Sequence, residues 1–148
     1  MLASKGTVHD PLEWPTGSVW EKMSALVASA LIVDDDEDLR ETVSDVLGLA
    51  GVPRRVLAAS LADVQRREQE ALASGLAILD VNLGDNQPTG VDVSQWLRAR
   101  GFSGAIVFLT GHAAADARVA AAAAVPNTRI MAKPVSFGDL MSLAQVGS

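Results

Sequence analysis

Residues 76–80 read Leu-Ala-Ile-Leu-Asp, four apolar residues followed by a single aspartate. A short apolar run that ends in a polar residue is typical of a strand buried on both faces of a parallel sheet. Four more runs of this kind occur, at residues 30–33, 55–58, 105–109 and 129–132. Together they predict five strands, of which the fourth (Ala-Ile-Val-Phe-Leu) is the clearest and the second the weakest.

A helical pattern follows each predicted strand. The first helix carries apolar residues at helical spacing and ends at Gly51, a residue type that favours helix C-termini. Ser60 is the expected N-terminal cap of a second helix that continues to Leu72, and Ser136 is the expected start of the last one. A third helix follows the third strand, and an alanine-rich fourth helix is predicted over residues 113–124.

The alternation of strands and helices places the chain in the α/β class. It predicts a doubly wound, five-stranded parallel sheet of flavodoxin-like (βα)5 order, because right-handed crossovers leave few other arrangements. We expect one domain at residues 29–148, preceded by an extension at residues 1–28 that is partly flexible or forms a short helix over residues 18–29. Trp14 and Trp20 in this extension are candidates for docking on the domain or on a second copy.

The composition is that of a globular protein without cysteine chemistry. Hydrophobic residues make up 49% of the 148 residues, and no cysteine is present to form disulfides or thiolate metal sites. The formal net charge of −6 argues against a nucleic-acid partner, which would need clustered lysines and arginines. The apolar stretch at residues 25–33 is too short to span a bilayer, and the chain start lacks the basic-then-apolar order of a secretory signal. These features favour a cytoplasmic protein with no membrane partner.

Polar residues follow four of the five predicted strands. Asp34 and Asp35 follow the first strand, Asp80 ends the third, Thr110 the fourth, and Lys133 follows the fifth. Ligands of open parallel sheets bind outside the carboxyl ends of the strands, where the strand order reverses. We therefore expect these five side chains to share one crevice.

Three carboxylates in one crevice repel one another unless a cation is present. Oxygen ligands suit Mg²⁺, with Mn²⁺ as a substitute, and a phosphoryl group would also meet Lys133 and the Thr110 hydroxyl. Asp80, alone at the end of the central strand, is the candidate nucleophile for an aspartyl-phosphate. Taken singly, an aspartate after a strand is also explained as a helix cap, and residues 36–38 are best explained in that way.

Four motifs make the chain resemble the receiver domains of response regulators in two-component signalling. They are residues 31–40 (Leu-Ile-Val-Asp-Asp-Asp-Glu-Asp-Leu-Arg), 78–83 (Ile-Leu-Asp-Val-Asn-Leu), 108–112 (Phe-Leu-Thr-Gly-His) and 132–134 (Ala-Lys-Pro). The spacings between them agree with the family as well. The resemblance covers most of the chain, and implies a single receiver domain similar to chemotaxis proteins.

The resemblance implies a phosphoacceptor and its metal site. It implies that Asp80 accepts a phosphoryl group in a Mg²⁺-dependent reaction. The metal ligands would be the carboxylates of Asp34, Asp35 and Asp80 and the backbone carbonyl of Asn82.

The same resemblance implies residues that sense the phosphoryl group. Thr110 resembles the switch hydroxyl that turns toward a phosphoryl oxygen, and Gly111 fills the small-residue position beside it. Lys133 resembles the lysine that pairs with the phosphoryl group, and its peptide bond to Pro134 is usually cis in this family.

Ile130 and the loop after Asp80 depart from the family pattern, and His112 has an open role. Ile130 stands where an aromatic switch residue is common, so readout is expected to rely on the loop after Thr110 and on the alanine-rich helix, which should shift easily. His112 is a candidate for gating water access to the phosphoryl group, or a solvated loop residue. The loop after Asp80 has Gly84 where proline is common and is longer than usual by about two residues.

The resemblance also implies partners. The phosphoryl donor would be a histidine kinase or a histidine phosphotransfer protein, and the output a contact with a downstream protein or homodimerisation. The chain would be a switch rather than an enzyme, catalysing at most its own phosphorylation and dephosphorylation.

Three other functions remain open on the sequence. An aspartyl-phosphate hydrolase would also use a strand-end aspartate, although Asn82 stands where such enzymes usually carry a second aspartate, and a cap domain would have no room. A degenerate receiver would serve only as a dimerisation or docking module. A flavodoxin-like nucleotide binder is disfavoured because no glycine-rich loop follows the first strand.

Overall fold

A computed structural model describes residues 26–111 and 117–145. Five strands and six helices occur along this part of the chain, with two successive helices between the second and third strands. The strands are β1 (Ser29–Val33), β2 (Arg54–Ala58), β3 (Leu76–Asp80), β4 (Ala105–Thr110) and β5 (Thr128–Ala132). The helices are α1 (Glu37–Leu49), α2 (Leu61–Arg66), α3 (Glu68–Leu72), α4 (Gly90–Ala99), α5 (Ala117–Ala123) and α6 (Phe137–Leu143). Within the described residues, no helix has the length and apolar character to cross a membrane.

The strands form one parallel sheet in the order β2-β1-β3-β4-β5. The order reverses between β1 and β3, whose register pairs Val33 with Leu79. The carboxyl ends of these strands and of β4 therefore lie side by side. The predicted doubly wound, flavodoxin-like α/β fold is confirmed.

Apolar side chains on the two faces of the sheet form two cores. The core beneath α2, α3, α4 and α5 includes Leu31, Leu79 and Phe108, all essentially inaccessible to solvent. The core beneath α1 and α6 includes Ile32 and Ile78. Adjacent residues of one strand thus enter opposite cores, which explains why the central strands are continuously apolar. The edge strand β5 differs, because each of its residues is half-buried or exposed.

Two predicted helices differ from the observed ones. The segment after Ser60 forms two short helices, because Arg67 leaves the helical conformation and its guanidinium donates a hydrogen bond to the Leu57 carbonyl. The short helix predicted over residues 18–29 does not extend to its predicted end, since residues 26–28 are not helical and Ser29 begins β1. The rest of that segment, including Trp14 and Trp20, lies outside the described residues.

Leu26 and Val27 pack against the core beneath α1 and α6. The Val27 amide donates a 2.9 Å hydrogen bond to the carbonyl of Ala144, just after α6. The contacts of the domain thus begin ahead of β1. The division of the chain at residues 28 and 29 stays a prediction.

Gly90 brings α4 against the backbone of the strand-end aspartate. Its amide donates to the Val81 carbonyl at 2.9 Å, and a Cβ at this position would lie 2.3 Å from the carbonyl oxygen of Asp80. Thr89 caps the helix from the residue before. Only glycine permits this approach, so Gly90 sets the distance between α4 and the end of β3.

Gly90→Ala should lower the free energy of unfolding by about 1–3 kcal/mol, because α4 must move away from the Asp80 carbonyl. Gly138→Ala is the matched control, since a Cβ there meets nothing within 4 Å in α6. The control should be neutral or stabilising by up to about 1 kcal/mol. Urea denaturation measures both variants, and wild-type stability for Gly90→Ala would contradict the close approach.

Candidate functional site

The carboxyl ends of β1, β3 and β4 and the segment after β5 surround one open pocket. It is lined by Asp34, Asp35, Asp36, Asp80, Val81, Asn82, Gly84, Asp85, Thr110, Gly111, Ala117 and Lys133. Parallel strands place their last residues at one edge of the sheet, which is why residues far apart in sequence meet here. The pocket therefore holds residues from every strand end that the sequence singled out.

Three carboxylates crowd together in this pocket. One oxygen from each of Asp34, Asp35 and Asp80 lies within 4.8 Å of the others. Asp34 and Asp80 are buried, whereas Asp35 is exposed. Burial raises the pKa of Asp34 to about 6; the Asp80 carboxylate adds to the rise, while the Asp36 amide and Lys133 oppose it. The three carboxylates thus leave the pocket with an excess of negative charge.

The two oxygens of Asp34 have different surroundings. Oδ1 accepts a 2.9 Å hydrogen bond from the Asp36 amide. Oδ2 is buried and has no hydrogen-bond partner among the described residues. A buried carboxylate oxygen without a hydrogen bond is costly unless a cation or water approaches it. With the Asp35 and Asp80 oxygens nearby, this donor set fits a hard divalent cation.

Lys133 supplies a positive charge beside Asp80 and Asp34. Its Nζ lies 3.1 Å from Asp80 Oδ1 and 3.9 Å from Asp34 Oδ2. Its amide donates to the Thr110 carbonyl at 2.9 Å, which fixes the segment after β5 beside the end of β4. The Lys133–Pro134 peptide bond is cis, as the resemblance implied. Thr110 itself is buried at the pocket wall.

The remaining predicted residues lie in different places. Asn82 and Gly111 line the pocket, and Asn82 Oδ1 accepts from the Gly84 amide, which leaves its side chain engaged in a turn. Ile130 packs against the core beneath α2–α5, and Pro134 lines a separate apolar cavity between α1 and α6. His112 lies outside the described residues. Ile130 and Pro134 are therefore not part of the pocket wall.

Asp36 has the capping role that its position suggested. Its side chain accepts from the Leu39 amide at 3.2 Å, and Glu37 and Asp38 occupy the first turn of α1. Asp85, at the pocket rim, was not singled out from the sequence. Its place in the loop after β3 is the sequence feature that could have identified it as a pocket residue.

An ion pair missed by the sequence analysis joins α4 to α5. Arg118 Nη2 lies 3.0 Å from Asp92 Oδ1. Asp92 Oδ2 accepts from the Thr89 amide at 2.8 Å, and the Thr89 hydroxyl accepts from the Asp92 amide, which completes the capping box of α4. Thr89, the cap residue of α4, directly precedes Gly90, whose backbone contacts Asp80. A contiguous set of contacts thus runs from the pocket to α5.

Over residues 30–145 the sequence matches the family described as the response regulator receiver domain. The match spans more than half of the chain, so the chain belongs to this family. The resemblance inferred from the motifs is confirmed. No curated protein sequence matches the chain.

Solved structures of receiver domains share the fold. The CheY-like receiver domain of Methylobacillus flagellatus is 20% identical with a TM-score of 0.67, covering 82% of this chain and 99% of that one. The NtrX receiver domain of Brucella abortus is 22% identical with a TM-score of 0.67, over 78% and 94% of the two chains. The Vibrio cholerae chemotaxis protein CheY4 is 27% identical with a TM-score of 0.67, over 80% and 98%.

Asp34→Asn should stabilise the metal-free protein. The substitution removes one of three crowded negative charges, and the amide nitrogen in place of the buried Oδ2 can donate toward Asp80. The expected gain is about 1–3 kcal/mol, the cost of leaving such a group unsatisfied. Chemical denaturation in the presence of a chelator measures it, and a less stable Asp34→Asn protein would contradict the unbalanced charge.

Asp92→Asn should cost stability in a pH-dependent way. The Thr89 amide, helped by Arg118, lowers the pKa of Asp92 below its usual value of 3.8. Its charge therefore adds stability above that pH, and this contribution is lost as the pH falls through the lower pKa of the folded protein. Urea midpoints of wild type and variant should differ at pH 7 and converge at an acidic pH below the lowered pKa of Asp92. An equal difference at both pH values would contradict this.

Proposed function

We propose that the chain is a phosphorylation switch that accepts a phosphoryl group on Asp80 from a histidine kinase or a histidine phosphotransfer protein. One observation carries the proposal. Asp80 lies at the central strand end with an ammonium 3.1 Å from Oδ1 and oxygens of two further carboxylates within 4.8 Å. Nucleophile, cation and metal-binding oxygens are the parts that phosphoryl transfer requires.

The transfer step is a displacement at phosphorus. A carboxylate oxygen of Asp80 attacks the phosphorus of a phosphohistidine, so that a P–O bond forms as the P–N bond breaks. The electron pair of the broken bond returns to the ring nitrogen. If the other ring nitrogen of the phosphohistidine carries a proton, the histidine leaves as a neutral imidazole. Lys133 Nζ, already at Asp80, stabilises the charge on the transferred group.

We propose Mg²⁺, with Mn²⁺ as a substitute, as the cation of the site. Asp34, Asp35 and Asp80 would hold it through their carboxylates and Asn82 through its backbone carbonyl. When bound, the ion neutralises negative charge on the phosphoryl oxygens. Asp34 Oδ2, which accepts no hydrogen bond from the described residues, and the crowding of the three carboxylates support this proposal.

We propose that output is a protein–protein contact, with a downstream target or a second copy, in the cytoplasm. Phosphorylation adds negative charge next to Thr110 and Lys133, and a local charge change can shift a two-state element. The Thr110 hydroxyl and Lys133 would respond first. The ion pair between Arg118 and Asp92 gives α5 a link to the α4 cap, which supports readout on this side of the sheet without an aromatic residue at position 130.

The test is labelling with acetyl phosphate and Mg²⁺, followed by intact mass and peptide mapping. Wild type should gain one phosphoryl group, and a chelator should abolish the gain. Asp80→Asn should gain none, because the nucleophile is missing. Asp85→Asn is the matched control, since Asp85 lines the same pocket but lies away from the strand ends, and it should label like wild type.

Three results would overturn or redirect the proposal. Equal labelling of Asp80→Asn and wild type would exclude Asp80 as the acceptor. No labelling of wild type under conditions that label another receiver domain would favour a degenerate docking module. Continuous release of inorganic phosphate from small phosphate esters, far above one equivalent, would favour a phosphohydrolase.

A further inference from the structure

Arg40 contacts the acidic segment from the first turns of α1. It is the fourth residue of that helix and is partly buried. Its Nη1 donates a 2.7 Å hydrogen bond to the backbone carbonyl of Asp34. A guanidinium at this distance from a carbonyl makes a short, charge-assisted hydrogen bond.

The bonded carbonyl belongs to the peptide that joins Asp34 to Asp35. The Asp34 amide on the other side is fixed by a 3.1 Å hydrogen bond to the Ala58 carbonyl, and its carboxylate by the Asp36 amide. The Arg40 bond fixes the third group, the carbonyl plane that leads into Asp35. Since a peptide unit is planar, holding its carbonyl also orients the amide and the start of the next residue.

Asp35 has the greatest need of this constraint. It is exposed, unlike Asp34 and Asp80, so packing does little to hold its side chain. Its carboxylate nevertheless lies within 4.8 Å of theirs. Like charges at this separation repel, and a free Asp34–Asp35 peptide could relieve the repulsion by turning Asp35 toward solvent.

We propose that Arg40 is a positioning residue of the candidate metal site. Its bond to the Asp34 carbonyl keeps the carboxylates of Asp34 and Asp35 convergent with that of Asp80. The inference rests on the proposed function for the identity of the cation, and it assigns to Arg40 no contact with the cation or with the phosphoryl group.

A positioning role and a purely electrostatic role of Arg40 predict opposite changes in Mg²⁺ affinity when Arg40 is removed. If Arg40 acted only through its positive charge, removing that charge would tighten binding of a cation nearby. If it acts by positioning, removing it should weaken binding, because the site must be reorganised. Mutation of residues that orient metal ligands typically lowers metal affinity by about 10–100-fold.

The experiment is calorimetric titration of the full chain with MgCl₂, without a phosphoryl donor. Arg40→Met, which keeps the apolar stem, should raise the Mg²⁺ dissociation constant about tenfold. Arg40→Lys, which keeps the charge and one donor group, should fall between Arg40→Met and wild type. Arg55→Met is the matched control, because Arg55 is also partly buried and donates to a backbone carbonyl, that of Val52, at 3.1 Å. The control should bind Mg²⁺ as wild type does.

Each outcome decides the inference. Wild-type or tighter Mg²⁺ binding by Arg40→Met would overturn it, as would equal weakening by Arg55→Met. A parallel urea series separates general destabilisation from a loss specific to Mg²⁺. If Arg40→Met binds Mg²⁺ as tightly as wild type while Asp80 is still labelled, the result counts against the positioning role alone. If wild type binds no Mg²⁺, both this inference and the proposed metal are wrong.

Discussion

The crowding of three carboxylates at one edge of the sheet is the constraint on which the rest of the site depends. One oxygen from each of Asp34, Asp35 and Asp80 falls within 4.8 Å of the others, and Lys133 forms ion pairs with Asp34 and Asp80. The Lys133 ammonium alone does not balance three carboxylates. The fold must therefore hold these groups together against their repulsion, and a cation is the natural complement to that arrangement.

Backbone contacts hold the arrangement in place. The Asp34 amide is bonded to β2 and its carbonyl to Arg40. Gly90 brings α4 against the Asp80 carbonyl, and the Lys133 amide is tied to the end of β4. Each contact fixes a segment at the end of a strand, where the chain leaves the sheet. Such fixed segments keep repelling charges convergent without the need for favourable contacts between the charges themselves.

The sequence was most informative about features that depend on the local pattern of residues along the chain. Continuous apolar runs identify central parallel strands, and the residues that follow them must meet at one edge, so the grouping of Asp80 with Lys133 could be anticipated. The break at Arg67 could not, because it depends on a hydrogen bond to Leu57 that only the folded chain brings into reach. The same holds for Arg40, whose partner is a backbone carbonyl and leaves no pattern in side-chain types.

The edge of the sheet bears on how a charge change at Asp80 could reach the surface. Ile130 packs into the core beneath α2–α5 and lies on β5, whose residues are half-buried or exposed. A β-branched side chain such as that of Ile130 is stiff at χ1, which disfavours a rotamer switch at this position. The path from Gly90 through the α4 cap ends in the exposed ion pair between Asp92 and Arg118, and exposed ion pairs contribute little to stability. If Asp80 is phosphorylated as proposed, coupling through this surface pair would need no rearrangement of the core.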